Sequence, residues 1–270
     1  MATTTMLGSV LSDITECAGG RSSTLMAPGD DPHDFALSSD QVAQLVSATL
    51  VVSNGLGLEA GLAPALMNAA EDGATIVEVA PQVEPLPFTR DGESRDDPHF
   101  WMDVSRMALA AEVIGEKLAE RTGESSYRGC GEQVAEALER TDRQVRDILA
   151  EVPAGRRVLV TDHHAFGYFA AAYDFEIAGV VVPGGSTEAE PSSQELAALT
   201  EVIRDRGVPA VFSDTADSSR VVEAVVAEAG EDVRVVPLYV GSVGPEGSGA
   251  ATYAEMMVAN AERIAQALRG

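Results

Sequence analysis

A chain of 270 residues with 45% hydrophobic residues and a net charge of −25 is long enough for one large or two small domains. It is too acidic to grip a phosphate backbone, since its one lysine is Lys117, and an anionic membrane surface would repel it too. No apolar run approaches the length that spans a bilayer, so no transmembrane helix is predicted.

The first third alternates strand and helix. Residues 2 to 6 read as a strand, and Leu7, Val10, Leu11 and Ile14 then recur at helical spacing until Cys17-Ala18-Gly19-Gly20 stops the helix. Ser23 to Met26 reads as a short strand, and Pro28 to Pro32 as a loop that leads into His33. Ser38 with Gln41 three residues on is a capping box that opens a helix to about Ala48. Leu50 to Val52 is an apolar strand, Leu58 to Ala70 a helix and Thr75 to Val79 another strand. The proline-rich connection from Ala80 to Pro98 reads as structureless, with a charged patch from Arg90 to Asp97.

Val104 to Arg121 is helical. A second, strongly charged helix runs from about Cys130 to Leu149 and is the candidate linker between two α/β halves, 1–122 and 154–270, with 123–153 as the linker region. The second half predicts strands at 157–161, 177–182, 210–213 and 233–236, and helices at 165–172, 193–206, 218–229 and 251–268. Ser192 and Glu195 form another capping box. The fold class is therefore α/β: two lobes with mostly parallel sheets joined by a long, rigid helix. Cys17 and Cys130 lack metal-site spacing and are either buried thiols or one disulfide, the bridge being expected in an oxidising compartment. The opening residues carry neither a basic n-region nor an apolar h-region, so no export signal is read there.

The chemistry is expected at histidine. His33 and His99 lie in Asp-Pro-His triplets, each followed within two residues by an aromatic ring, and proline stiffens both approaches. His163 ends the strand at 157–161, where a buried parallel strand presents polar groups to a ligand. A lone histidine is most often structural or on the surface. Three on rigid elements instead make a site for a borderline divalent metal, zinc first, with manganese or iron requiring more carboxylate.

Six stretches carry a family resemblance: Thr5-Met6-Leu7-Gly8, Asp31-Pro32-His33-Asp34-Phe35, Leu50 to Glu59, Asp97-Pro98-His99-Phe100-Trp101-Met102-Asp103, His163 to Phe169, and Thr252 to Met257. Together, in order, they resemble the bacterial solute-binding proteins that capture zinc or manganese for ATP-driven importers. The resemblance implies two α/β lobes bridged by one helix and a metal held in the cleft between them. It also implies an extracytoplasmic location and delivery to an ABC transporter permease, with a metallochaperone as a possible further partner and the chain a monomer. His33, His99 and His163 fall on the first three ligand positions, and His164 falls on an unspecified slot. Family members often place an acid in the loop before the last helix, but Gly241 stands there. The fourth ligand is then Asp214 or water. The histidine-rich loop of many zinc members is absent before His99.

The rival class is an enzyme, because three histidines and a water are also the zinc ligands of a hydrolytic catalyst. Such a catalyst needs a base; Glu188, Glu190 and Asp214 are the candidates, and no HExxH motif is present.

Overall fold

The structure is a computed structural model and describes residues 1–90, 93–184, 187, 190–216, 220–230 and 232–269. Asp91, Gly92 and Glu188, named above in the charged patch and among the candidate bases, lie outside the described residues, as do the first two residues expected of the helix at 218–229.

The first lobe begins with a parallel arrangement reduced to very short strands. Ala2 bridges Thr24 on one side and Val52 on the other. Strand β1 (Val51–Ser53) pairs in parallel with β2 (Ile76–Glu78). The expected strands at 2–6 and 23–26 are thus corrected to isolated bridges. The reason is local: the Thr4 hydroxyl accepts the Leu7 N–H and caps helix α1 (Thr5–Cys17), turning the chain out of extended conformation two residues early. Helices α2 (Ser39–Ser47) and α3 (Ala63–Glu71) follow, α2 opened by the Ser38/Gln41 capping box.

The connection at 80–98 is a second correction. Strands β3 (Pro87–Arg90) and β4 (Glu93–Asp96) pair there as an antiparallel hairpin, a pairing between polar segments that carries no apolar alternation to betray it. A 3-10 turn at Phe100–Met102 then delivers helix α4 (Val104–Thr122).

Helix α5 (Ser126–Leu149) starts four residues before its expected position and packs against α1, α4 and, from the second lobe, helix α9 (Tyr253–Leu268). Gly115 on α4 and Gly131 on α5 let the two backbones meet: a Cβ on Gly115 would stand 2.9 Å from the Gly131 Cα. Beside that crossing, Cys17 and Cys130 are joined in a disulfide that ties α1 to α5 across 113 residues.

The second lobe contains β5 (Val158–Thr161), α6 (Gly167–Tyr173), β6 (Glu176–Val180), α7 (Ser193–Arg206), β7 (Ala210–Asp214), α8 (Arg220–Ala229) and β8 (Arg234–Leu238). Its four strands are parallel in the order β6-β5-β7-β8. The first lobe's segments run in the same order: the Thr24 segment, the Ala2 segment, β1, β2. Each lobe therefore has a point where the chain reverses direction across its sheet, with a crevice at the strand ends. One apolar core runs through both lobes and α5, from Met6 and Trp101 through Val134 and Leu138 to Phe169 and Met257, so the lobes share an interior.

Candidate metal centre

Three loops bring the histidines to the crevice. His33 lies between the Thr24 segment and α2, His99 between the hairpin and α4, and His163 directly after β5. In both Asp-Pro-His triplets the aspartate Oδ1 accepts the histidine backbone N–H two residues on, at 2.9 Å for Asp31 and His33 and 3.0 Å for Asp97 and His99. The pyrrolidine ring of the proline between them locks φ, so the turn is rigid.

The rings converge. The Nε2 atoms of His33 and His99 stand 3.2 Å apart, and one nitrogen from each of the three histidines lies within 4.8 Å of the others. All three residues are buried, with exposures of 8, 1 and 2%. Tetrahedral zinc with Zn–N near 2.0–2.1 Å implies a nitrogen–nitrogen edge of roughly 3.3 Å, which the His33–His99 pair matches.

Two of the rings are aimed by carboxylates. Asp97 Oδ1 accepts Nδ1–H of His99 at 2.7 Å, and Asp162 Oδ1 accepts Nδ1–H of His163 at 2.9 Å. An ionised carboxylate only accepts, so in the neutral ring the proton sits on Nδ1 and the lone pair is on Nε2, the metal-ligating form. The sequence carries these partners as an aspartate one or two residues before each of the two histidines, a signal that spacing alone does not connect to the rings.

Charge reinforces the arrangement. Burial, with the neighbouring His99 and His163, pushes His33 down to about 2, so it is neutral at any physiological pH. Burial opposes charge on His163 as well, but Asp162, helped by Asp214 and Asp31, outweighs it and raises that imidazole above its ordinary value.

Asp214 ends β7 beside this group but is not one of the three converging residues. Its Oδ1 accepts from Ala216 N–H at 3.0 Å and Val240 N–H at 3.4 Å, its Oδ2 from Gly241 N–H at 2.8 Å, and its own N–H goes to Asp162 Oδ2. Burial, with Asp162 adding, raises its carboxyl to about 6 against the pull of those amides and His163. A Cβ on Gly241 would stand 3.1 Å from Asp214 Oδ2 and 3.0 Å from Pro32 Cδ. The space in front of residue 241 is therefore taken by the Asp214 carboxylate and the loop of His33. His164 turns away from the group and packs against Phe88 of the hairpin, ring centroids 5.1 Å apart. Trp101 walls the site with its ring 5.2 Å from that of His99 and its Nε1–H on Val240 O.

Comparison with known proteins agrees. The manganese-binding lipoprotein MntA of Halalkalibacterium halodurans is 31% identical over 96% of this chain and 86% of its own length. The zinc-binding protein TroA of Treponema pallidum is 32% identical over 90% and 80%. The solved structure of the periplasmic zinc-binding protein TroA superposes with a TM-score of 0.89 over 99% of this chain and 97% of that one, at 29% identity. Two α/β lobes, a bridging helix and a buried histidine cluster define a metal-binding substrate-binding protein of an ABC transporter. The chain belongs to the family described as zinc-uptake complex component A, periplasmic, whose model matches residues 1–267.

Proposed function

We propose that this protein is an extracytoplasmic receptor that captures one zinc ion between its lobes with His33, His99 and His163 and delivers it to an ABC transporter permease. The observation that carries the reading is the convergence of three buried imidazoles, two of them held by carboxylates in the ligating tautomer. Neutral nitrogen donors with few carboxylates suit zinc better than manganese. The fourth position goes to Asp214, whose carboxylate fills the space in front of Gly241, or to water. The lobes are 1–122 and 154–270, with 123–153 between them, and the receptor acts as a monomer. Among the described helices none is long and apolar enough to cross a membrane.

Manganese is the second reading, favoured by the acids Asp31, Asp162 and Asp214 around the rings and by a relative named for manganese. The hydrolytic alternative has less to stand on: of its candidate bases among the described residues, Glu190 is exposed, which leaves Asp214. Metal analysis of the purified protein, followed by competition between zinc and manganese for Asp214→Asn and the parent chain, tests the assignment. One zinc per chain held against excess manganese is expected; retention of manganese alone overturns it, and esterase activity above that of free zinc would reinstate the enzyme.

A further inference from the structure

Tyr168 stands on α6 of the second lobe, yet its hydroxyl is built into the first. The hairpin ladder closes with Pro87 opposite Asp96, and the next pair, Leu86 and Asp97, is joined directly in one direction only, by Asp97 N–H to Leu86 O at 2.8 Å. In the other direction the tyrosine hydroxyl is interposed. It accepts from Leu86 N–H at 2.9 Å and donates to Asp97 O at 2.7 Å. A hydroxyl can do both through one atom, and a phenylalanine ring in its place would leave both backbone groups unmatched.

The ring itself is pinned. Tyr168 is fully buried, and the Arg106 guanidinium lies 5.2 Å from its centroid. The same guanidinium donates to Val83 O at 2.6 Å and to Glu84 O, holding the turn into the hairpin where Glu84 adopts a φ of 55°. That left-handed conformation is uncommon outside glycine and needs such support.

Asp97 links this bridge to the imidazoles. Its carbonyl is held by Tyr168, while its carboxylate receives both the backbone N–H and the Nδ1–H of His99. Tyr168 in turn lies on the helix that follows His163. We propose that Tyr168 is a positioning residue for the metal site, its hydroxyl locking Asp97 so that His99 and His163 keep one spacing and the captured cation leaves slowly. The proposal rests on the metal-capture reading above.

The test is Tyr168→Phe, with zinc dissociation followed after mixing with excess chelator and the visible spectrum of the cobalt-loaded protein as a report on ligand geometry. Partners that orient a metal-bound histidine directly are worth 10–100-fold in affinity, so one step further out the loss should be on the order of 10-fold, appearing as faster release with a shifted cobalt spectrum and one ion still bound per chain. Tyr173→Phe is the comparator. Its hydroxyl serves Asp142 at 3.0 Å and Val104 N–H at 3.4 Å, so it should lower the melting temperature and leave rate and spectrum alone. A Tyr168→Phe protein with the parent's spectrum and release rate, whatever its melting temperature, overturns the proposal. Should that variant fail to fold, Arg106→Gln, which frees the ring but keeps the hydroxyl, is expected to move both readouts in the same direction by less, and no movement overturns the proposal equally. A parent chain that takes up neither zinc nor cobalt would remove the metal-capture reading and this proposal together, whereas bound metal with unmoved variants removes only this one.

Discussion

His33 Nε2 and His99 Nε2 face each other at 3.2 Å although 66 residues separate them in the chain. In the neutral ring whose Nδ1–H goes to Asp97, the His99 Nε2 is an acceptor, and the Nε2–H tautomer of His33 matches it. The two nitrogens thus stand at the spacing of adjacent ligands on one ion.

Alanine at His33, His99 or His163 should each lower zinc affinity by more than about 100-fold, beyond the range seen when only an orienting partner is lost. Asp162→Asn, which keeps the shape but weakens the hold on His163, should cost about 10–100-fold. Competition against a chromophoric chelator measures both. An alanine variant that retains parental affinity would remove that histidine from the ligand set.

Zinc must displace a proton from His163 once the pH falls below its raised value, whereas His33, held down to about 2, is already neutral. Affinity should therefore fall as pH drops from 8 toward 5. Asp162 is the chief cause of the raised value, so Asp162→Asn should move the fall to lower pH. Calorimetry in buffers of different ionisation enthalpy counts the protons released.

The His33 contribution to the stability of the metal-free protein should also fall with acid, opposed below about 6 by Asp214, whose carboxyl the fold raises. Below about 6.5 the unfolded chain protonates residue 33 and the folded chain refuses it until about 2, so the unfolded state binds more protons across that window. The slope is about 1.4 kcal/mol per pH unit for one such group. Urea denaturation of the parent and of His33→Gln at pH 7, 6 and 5 should show the gap between them shifting toward the variant as pH drops. A constant gap contradicts the assignment.

Gly115→Ala should destabilise by about 1–3 kcal/mol or more, because the added methyl meets Tyr127 O at 2.7 Å and the Gly131 Cα at 2.9 Å, both backbone atoms of α5. The shift in denaturation midpoint measures it.

Reducing the Cys17–Cys130 bridge releases a 113-residue constraint on the unfolded chain and should cost about 2–5 kcal/mol. Denaturation with and without reductant tests this, and metal stoichiometry should be unchanged in the folded protein.

Local rules made much of the fold readable in advance. The capping boxes at Ser38 and Ser192 and the apolar runs of β5 and β7 act within a few residues, so their elements stand where the pattern places them. The paired Asp-Pro-His triplets likewise marked His33 and His99, because the turn that offers each ring is made by its own neighbours. What composition and spacing did not reveal depends on segments meeting in space. The threonine run at the start is β-prone, but the Thr4 cap converts it to helix once Ala2 is flanked by two partners. The hairpin at 87–96 needs its cross-strand mate, and Asp214 near position 241 needs β7 and the loop after β8 side by side. The sequence by itself determined which residue types stand ready to hold a metal and on which rigid loops. Only the tertiary structure decided that their nitrogens lie within 4.8 Å of one another, that Asp97 and Asp162 orient two of them, and that a tyrosine from the far lobe holds one of those aspartates, because distance and hydrogen-bond direction between remote segments are not encoded in any local pattern.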